Sequence, residues 1–158
     1  MDKTAQQIYG GKVRIRVCGL SWKDEKLLLV NHFGLYHHDF WAPPGGGIEF
    51  GDHAETNLER EFAEETGLVV KTEELQFICE LIQPPLHAIE LFFNVMVIGG
   101  KLITGSDPEM DEKQQIIKQV QYLSIAEIDR MPDSHKHGLF RFAKSRDKIM
   151  GLRGYLKI

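Results

Sequence analysis

A run near the centre of the chain constrains its fold more than any other feature. Gly45-Gly46-Gly47-Ile48-Glu49-Phe50-Gly51-Asp52 leads through a polar stretch into Arg60-Glu61-Phe62-Ala63-Glu64-Glu65-Thr66-Gly67-Leu68. The glycines allow a tight turn and a close approach of backbone to a ligand. The stretch after them reads as a helix. At 100° per residue and with Ala54 at zero, Leu58 falls near ~40° and Phe62 near ~80°, a narrow apolar stripe. On the same scale Glu65 falls near ~20°, Glu61 near ~340° and Glu64 near ~280°. Glu65 therefore points along the buried stripe and Glu61 borders it. An ordinary solvated acidic face would lie opposite, where Thr56 and Ala63 fall.

Like charges at this spacing repel even on a surface, and beside a core an unpaired carboxylate costs several-fold more. The arrangement calls for a cation. Oxygen ligands on one rigid face suit Mg²⁺, which takes one or two carboxylates and leaves places for water and phosphates. Asp52 with Glu55 three residues on reads as a capping box that starts the helix, and Gly67 stops it.

These residues resemble the Nudix box, G-x5-E-x7-R-E-U-x-E-E-x-G-U, where U is a bulky apolar residue. The match runs from Gly46 to Leu68, and Asp52 alone departs from it, standing where the family has glutamate. The resemblance implies an α/β/α sandwich with a mixed sheet, formed by residues 1–158 as a single Nudix hydrolase domain. It implies hydrolysis of a nucleoside diphosphate linked to another moiety. It implies Glu61, Glu64 and Glu65 as an acidic metal site, with the backbone carbonyl of Gly45 as a further candidate ligand. Arg60 is similar to the family's orienting arginine, which pairs with a carboxylate. The metal expected is Mg²⁺, with Mn²⁺ as its substitute. Within the cluster Glu61 is the first choice for the base that takes a proton from water.

Composition sets bounds. The chain has 158 residues, a length within the range of one domain. At 42% hydrophobic it can build a core. No apolar run reaches the ~18 residues of a membrane-spanning helix, and residues 1–12 lack the apolar segment of a secretory signal. A cytoplasmic location is the expectation. Cys18 and Cys79 sit in apolar, strand-like runs and read as buried free thiols. The net charge of −4 disfavours nonspecific binding to nucleic acid. From His135 onward seven Lys/Arg face one acid, Asp147, so that segment carries +6 and the remainder −10. A solvated basic face balancing an acidic body is the plain reading; a wall near substrate phosphates is the functional one.

Alternation of Val13, Ile15 and Val17 with Arg14, Arg16 and Cys18 predicts a strand over 13–22. A continuous apolar run predicts a buried strand over 26–31. Further strands are expected at 76–82, 88–98, 101–104 and 118–123, with an edge strand at 154–158. Ser124 and Glu127 read as a capping box for a short helix ending at Met131-Pro132, and a final helix is expected over about 134–147.

The loop at 32–44 is rich in aromatic and histidine residues. Phe33, Tyr36 and Trp41 are candidate stacking surfaces for a nucleobase, while for Trp41 packing beneath the sheet is the favoured reading. His32, His37 and His38 lack the regular spacing of a zinc site. Asp111 and Glu112 lie on a loop where some relatives place an additional acid. Pro84 stands 16 residues after Leu68, and a proline near that place recurs in family members acting on ADP-ribose. The substrate stays open between an ADP-ribose-like compound and a nucleoside triphosphate. A nucleotide sensor of Nudix fold is the alternative that Asp52 favours. No membrane partner is expected, and a homodimer, common in the family, is left open.

Overall fold

The computed structural model describes residues 10–33, 38–83, 86–105 and 117–158. Tyr36, His37, Pro84, Asp111 and Glu112 lie outside the described residues. A five-stranded mixed sheet contains β1 (Val13–Leu20), β5 (Gly45–Gly47), β6 (Leu68–Gln83), β7 (Leu86–Gly100) and β9 (Tyr155–Lys157), in the order β5-β1-β7-β6-β9. In it β1 runs parallel to β7 and antiparallel to β5, while β7 runs antiparallel to β6. A second, antiparallel sheet is built around β3 (Lys26–His32), which pairs with β2 (Trp22–Lys23), β4 (Trp41–Ala42) and β8 (Ile117–Ser124).

Two core clusters explain the layers. Leu28 and Val30 of β3 join Val17, Phe93, Val95 and Val70 beneath Leu58 and Phe62 of helix α1 (Ala54–Thr66). Leu27 and Leu29 point the other way, because side chains alternate along a strand. They join Cys18, Phe77, Phe92 and Trp41 against three short helices, α2 (Ile125–Asp129), α3 (Leu139–Phe142) and α4 (Arg146–Met150). Helices thus cover both sides, and the α/β/α sandwich expected from the sequence is the fold.

Several local expectations change. The alternation along β1 is not a simple inside-outside pattern. Val17 and Cys18 are both buried, because the inner half of the strand is covered on both faces, whereas Val13 and Ile15 are more than half exposed beyond the reach of α1. The strand expected at 76–82 begins at Leu68, directly after the helix. Residues 101–104 form no strand. Their donors go elsewhere: Lys101 N–H donates to Gly67 O, Ile103 N–H to Thr66 O and Gly105 N–H to Glu65 O. The segment satisfies the orphan carbonyls at the end of α1.

The expected helix over 134–147 is broken into a 3₁₀ turn (Asp133–His135), α3 and α4. Gly138 lies within that span, and Ser145 caps α4 through its side chain, a combination that favours separate short elements. The Ser124/Glu127 capping box forms as expected, and β9 is the edge strand expected near the C-terminus. Cys18 and Cys79 are buried free thiols. Burial, reinforced by the charge of Glu90, raises the Cys18 thiol and pushes Cys79 up to about 12.

Part of the basic C-terminal segment is paired. Lys144 meets Asp129 at 2.9 Å, and Arg146 pairs with Glu25. Lys136 departs from the solvated reading: it is buried, and its ammonium donates to the carbonyls of Ile128 and Asp129, 3.2 Å from each. No helix among the described residues is long and apolar enough to cross a membrane.

Candidate active site

Helix α1 carries the acidic face, and its ends differ from the sequence reading in one respect. The N-cap is His53, with no side-chain hydrogen bond, so Asp52 does not cap the helix. The Asp52 backbone instead donates to Glu49 O in a turn, and its side chain is exposed. Asn57, wholly buried, holds the helix start: its side-chain carbonyl accepts from Glu49 N–H and its amide donates to His53 O. At the other end Gly67 adopts φ 72° and its N–H donates to Ala63 O, a left-handed termination that only glycine adopts freely.

Between these ends Arg60 organises the carboxylates. Its guanidinium lies 3.0 Å from Glu49, 3.1 Å from Glu61 and 3.0 Å from Glu64, and it also donates to Asn57 Oδ1 at 3.1 Å. Burial alone would lower the Arg60 pKa, but the charges of Glu61, Glu64 and Glu49 outweigh it and hold the group above its ordinary value. The expected pairing of Arg60 with a carboxylate is present three times over.

Glu65 is buried, as its place on the apolar stripe requires, and its Oε2 accepts the backbone N–H of Gly45 at 3.0 Å. Glu61 lies against the bare Cα of Gly46, where an added methyl would stand 2.3–2.5 Å from its carboxyl atoms. The glycine strand β5 and the acidic helix are thus in direct contact, Glu61 at Gly46 and Glu65 at Gly45, while Arg60 pairs with Glu61 and Glu64.

A divalent cation fits the chemistry of this donor set, which is all oxygen and carries several negative charges around one guanidinium. Among the described residues no three His, Cys, Asp or Glu side chains converge on a single point. The reason is visible in the hydrogen bonds: Arg60 draws Glu61 and Glu64, while Gly45 N–H draws Glu65. A cation entering the site would compete for those same oxygens.

The aromatic loop contributes less than its composition suggests. Phe33 is about half exposed and carries the Lys118 ammonium over its ring at 4.6 Å. Trp41 packs in the core at 8% exposure, so it is a core residue rather than a stacking face. His38 stacks on His135 with ring centroids 4.4 Å apart, and His32 is buried in β3.

Residues overlooked in the sequence lie beneath the glycine strand. Glu90, in the middle of β7, is buried and accepts a 2.7 Å hydrogen bond from His137 Nε2. Arg16 on β1 stands 3.7 Å from Glu90 and donates to Gly45 O at 3.4 Å. Burial works to raise the Glu90 pKa, but His137, then Arg16 and Arg14, hold it below the ordinary carboxylate range. The signal available in the sequence was a glutamate set inside the apolar run Ala88-Ile89-Glu90-Leu91-Phe92.

Comparison with known proteins bears on family and fold. The NUDIX domain family matches residues 12–144. An ADP-ribose pyrophosphatase of Methanocaldococcus jannaschii is 35% identical over 100 residues, which cover 62% of this chain and 59% of that protein. A NUDIX hydrolase from Nitrosomonas europaea superposes with a TM-score of 0.64 at 24% identity, covering 82% of this chain and 84% of the other. A MutT NUDIX hydrolase from Burkholderia pseudomallei gives 0.63 at 15% identity, covering 85% and 97%; at these identities the likeness establishes the fold alone. The family match over most of the chain, with the acidic helix and glycine strand at its centre, shows that this protein belongs to the Nudix family.

Proposed function

We propose that this chain is a divalent-metal-dependent pyrophosphohydrolase that cleaves the diphosphate linkage of a nucleoside diphosphate derivative, with Mg²⁺ as the metal and Mn²⁺ as its substitute. The observation that carries this reading is the pairing of Glu61 and Glu64 with Arg60 on the same helix that sets Glu65 against Gly45 N–H and Glu61 against Gly46 of the glycine strand. Family members generally use divalent metal ions. Here Glu61, Glu64 and Glu65 would hold the ion, with the Gly45 carbonyl as a further ligand, since a carbonyl oxygen has a second lone pair beside the one Arg16 engages. When bound, the ion supplies charge neutralisation at the diphosphate and polarises water for attack.

The protein's own groups do the rest. Arg60 fixes the rotamers of Glu61 and Glu64, so the carboxylates are oriented before substrate arrives. Glu61, at the border of the stripe and facing the glycine strand, is the carboxylate that takes the proton of the attacking water. The products are a nucleoside monophosphate and the other phosphorylated half.

Between an ADP-ribose-like substrate and a nucleoside triphosphate, the relative from Methanocaldococcus jannaschii favours the first. Asp52, the residue that favours a sensor, makes no side-chain hydrogen bond or ion pair among the described residues, and the Arg60 ion pairs go to Glu49, Glu61 and Glu64. Its shorter side chain therefore bears little on the three glutamates.

The test is a panel of nucleoside diphosphate sugars and nucleoside triphosphates with millimolar Mg²⁺, scored for phosphate after phosphatase coupling. ADP-ribose is expected to lead, EDTA to abolish turnover, and Mg²⁺ to raise Tm by mass action. An unchanged Tm together with turnover that survives EDTA would remove the metal site.

A further inference from the structure

We infer that His137, Glu90 and Arg16 form a positioning chain that fixes the Gly45 peptide and, through it, the Glu65 carboxylate. The inference rests on the proposed function for its catalytic meaning, but its geometry stands independently. Four contacts run in series across four elements and a loop. His137, just before α3, donates to Glu90 on β7 at 2.7 Å; Glu90 faces Arg16 on β1 at 3.7 Å; Arg16 donates to Gly45 O on β5 at 3.4 Å; Gly45 N–H donates to Glu65 on α1 at 3.0 Å. Leu139 N–H donates to His137 Nδ1 at 3.2 Å, which leaves Nε2 as the nitrogen that carries the proton toward Glu90.

The backbone requires the close approach. A Cβ at residue 45 would stand 1.9 Å from Val17 O, so only glycine brings β5 this near to β1. Both hydrogen-bonding groups of Gly45 are thereby given to side chains, one from the acidic helix and one from β1.

Energetics argue against mere stability as the purpose. Glu90 and His137 are each 3% or less exposed, among Phe92, Cys18 and Cys79. Removing a carboxylate from water is costly, and replacing a buried ionic cluster by apolar residues is often neutral or stabilising. An apolar residue at 90 would serve the core as well, but it would leave Arg16 without the anion that aims it at Gly45.

The experiment compares wild type, Arg16→Lys, Glu90→Gln and the double variant Arg16→Met/Glu90→Gln, with the exposed Lys144→Ala as control. The double variant buries no unpaired charge, so it keeps the test open should Glu90→Gln alone fail to fold. In metal-free protein, amide hydrogen exchange of Gly45 is read by NMR. We expect it to quicken by about tenfold or more in the variants. The Gly19 amide, which donates to Pro44 O and reports the docking of β5 on β1, should hold its rate.

Mn²⁺ affinity, read from the paramagnetic resonance of the free ion, should weaken by about tenfold. kcat should fall by a similar factor with KM little changed. A Gly45 exchange rate equal to wild type in every folded variant would overturn the chain. Faster exchange with wild-type Mn²⁺ affinity and kcat would overturn its catalytic meaning. If wild type binds no Mn²⁺ and hydrolyses nothing in the panel, the proposed function fails while Gly45 exchange still decides the chain.

Discussion

The Glu61 carboxylate rests on the unsubstituted Cα of Gly46, at a place where a methyl group would come within 2.3 Å of its Cδ. The contact joins the first residue of the sequence motif to its first helical glutamate, and it makes glycine a requirement of the carboxylate's position rather than of the turn alone.

Gly46→Ala is therefore expected to displace Glu61, whose flexible end can move, more than to unfold the protein. Tm should fall by only a few degrees, an effect of about 1 kcal/mol, while kcat drops by about tenfold or more. Gly105→Ala is the contrasting case, because its Cβ would meet Glu64 O at 1.9 Å and backbone cannot swing aside. That variant should lose chiefly stability. Parallel melts and turnover per folded molecule separate the two.

Arg60→Ala should leave Glu49, Glu61 and Glu64 facing one another without the guanidinium that now lies between them. Turnover is expected to fall by at least about tenfold. Arg60→Lys should restore little, because a point charge cannot reproduce three separate contacts of a planar fork. A lysine variant with wild-type kcat would remove the orienting role.

Asp52→Ala is expected to change stability by no more than about 0.5 kcal/mol, since the helix is capped at His53 without side-chain help. Asp52→Glu should likewise leave turnover near wild type. A large gain from Asp52→Glu, starting from a nearly inactive wild type, would favour the sensor alternative.

His32 gives the protein a pH dependence of known sign. Burial, aided by the charge of Arg16, lowers its pKa to about 3. Unfolded, the ring takes a proton near its ordinary value of about 6.5. Between these values the unfolded chain binds the proton and the native chain does not, so stability falls as pH drops through that window. The slope from this residue is at most about 1.4 kcal/mol per pH unit. His32→Gln should lose less stability than wild type between pH 7.5 and 5, by up to about 2 kcal/mol, as measured by urea denaturation.

The acidic helix and its partners within the motif follow from the local order of residues. Residues at i, i+3 and i+4 share a face whatever the helix packs against, so Glu61, Glu64 and Glu65 with Arg60 were legible from spacing. Gly67 was legible for the same local reason, as were the buried strand β3 and the Ser124/Glu127 cap. The start of the helix was not: Asp52 has the right chemistry for a cap, but the buried Asn57 holds the Glu49 backbone and the entry is set from inside the helix.

Which strand faces are covered depends on packing between elements distant in the chain. Val13 and Ile15 match Val17 in pattern, yet α1 reaches only the last of them. Only the tertiary structure brought Arg16, Glu90 and His137 together, since they stand 74 and 47 residues apart in sequence and meet through the parallel pairing of β1 with β7 and the packing of the chain before α3. Periodicity records which way a side chain points along its own element. What it meets there is fixed by the register of strands distant in the chain, and no local pattern carries that information.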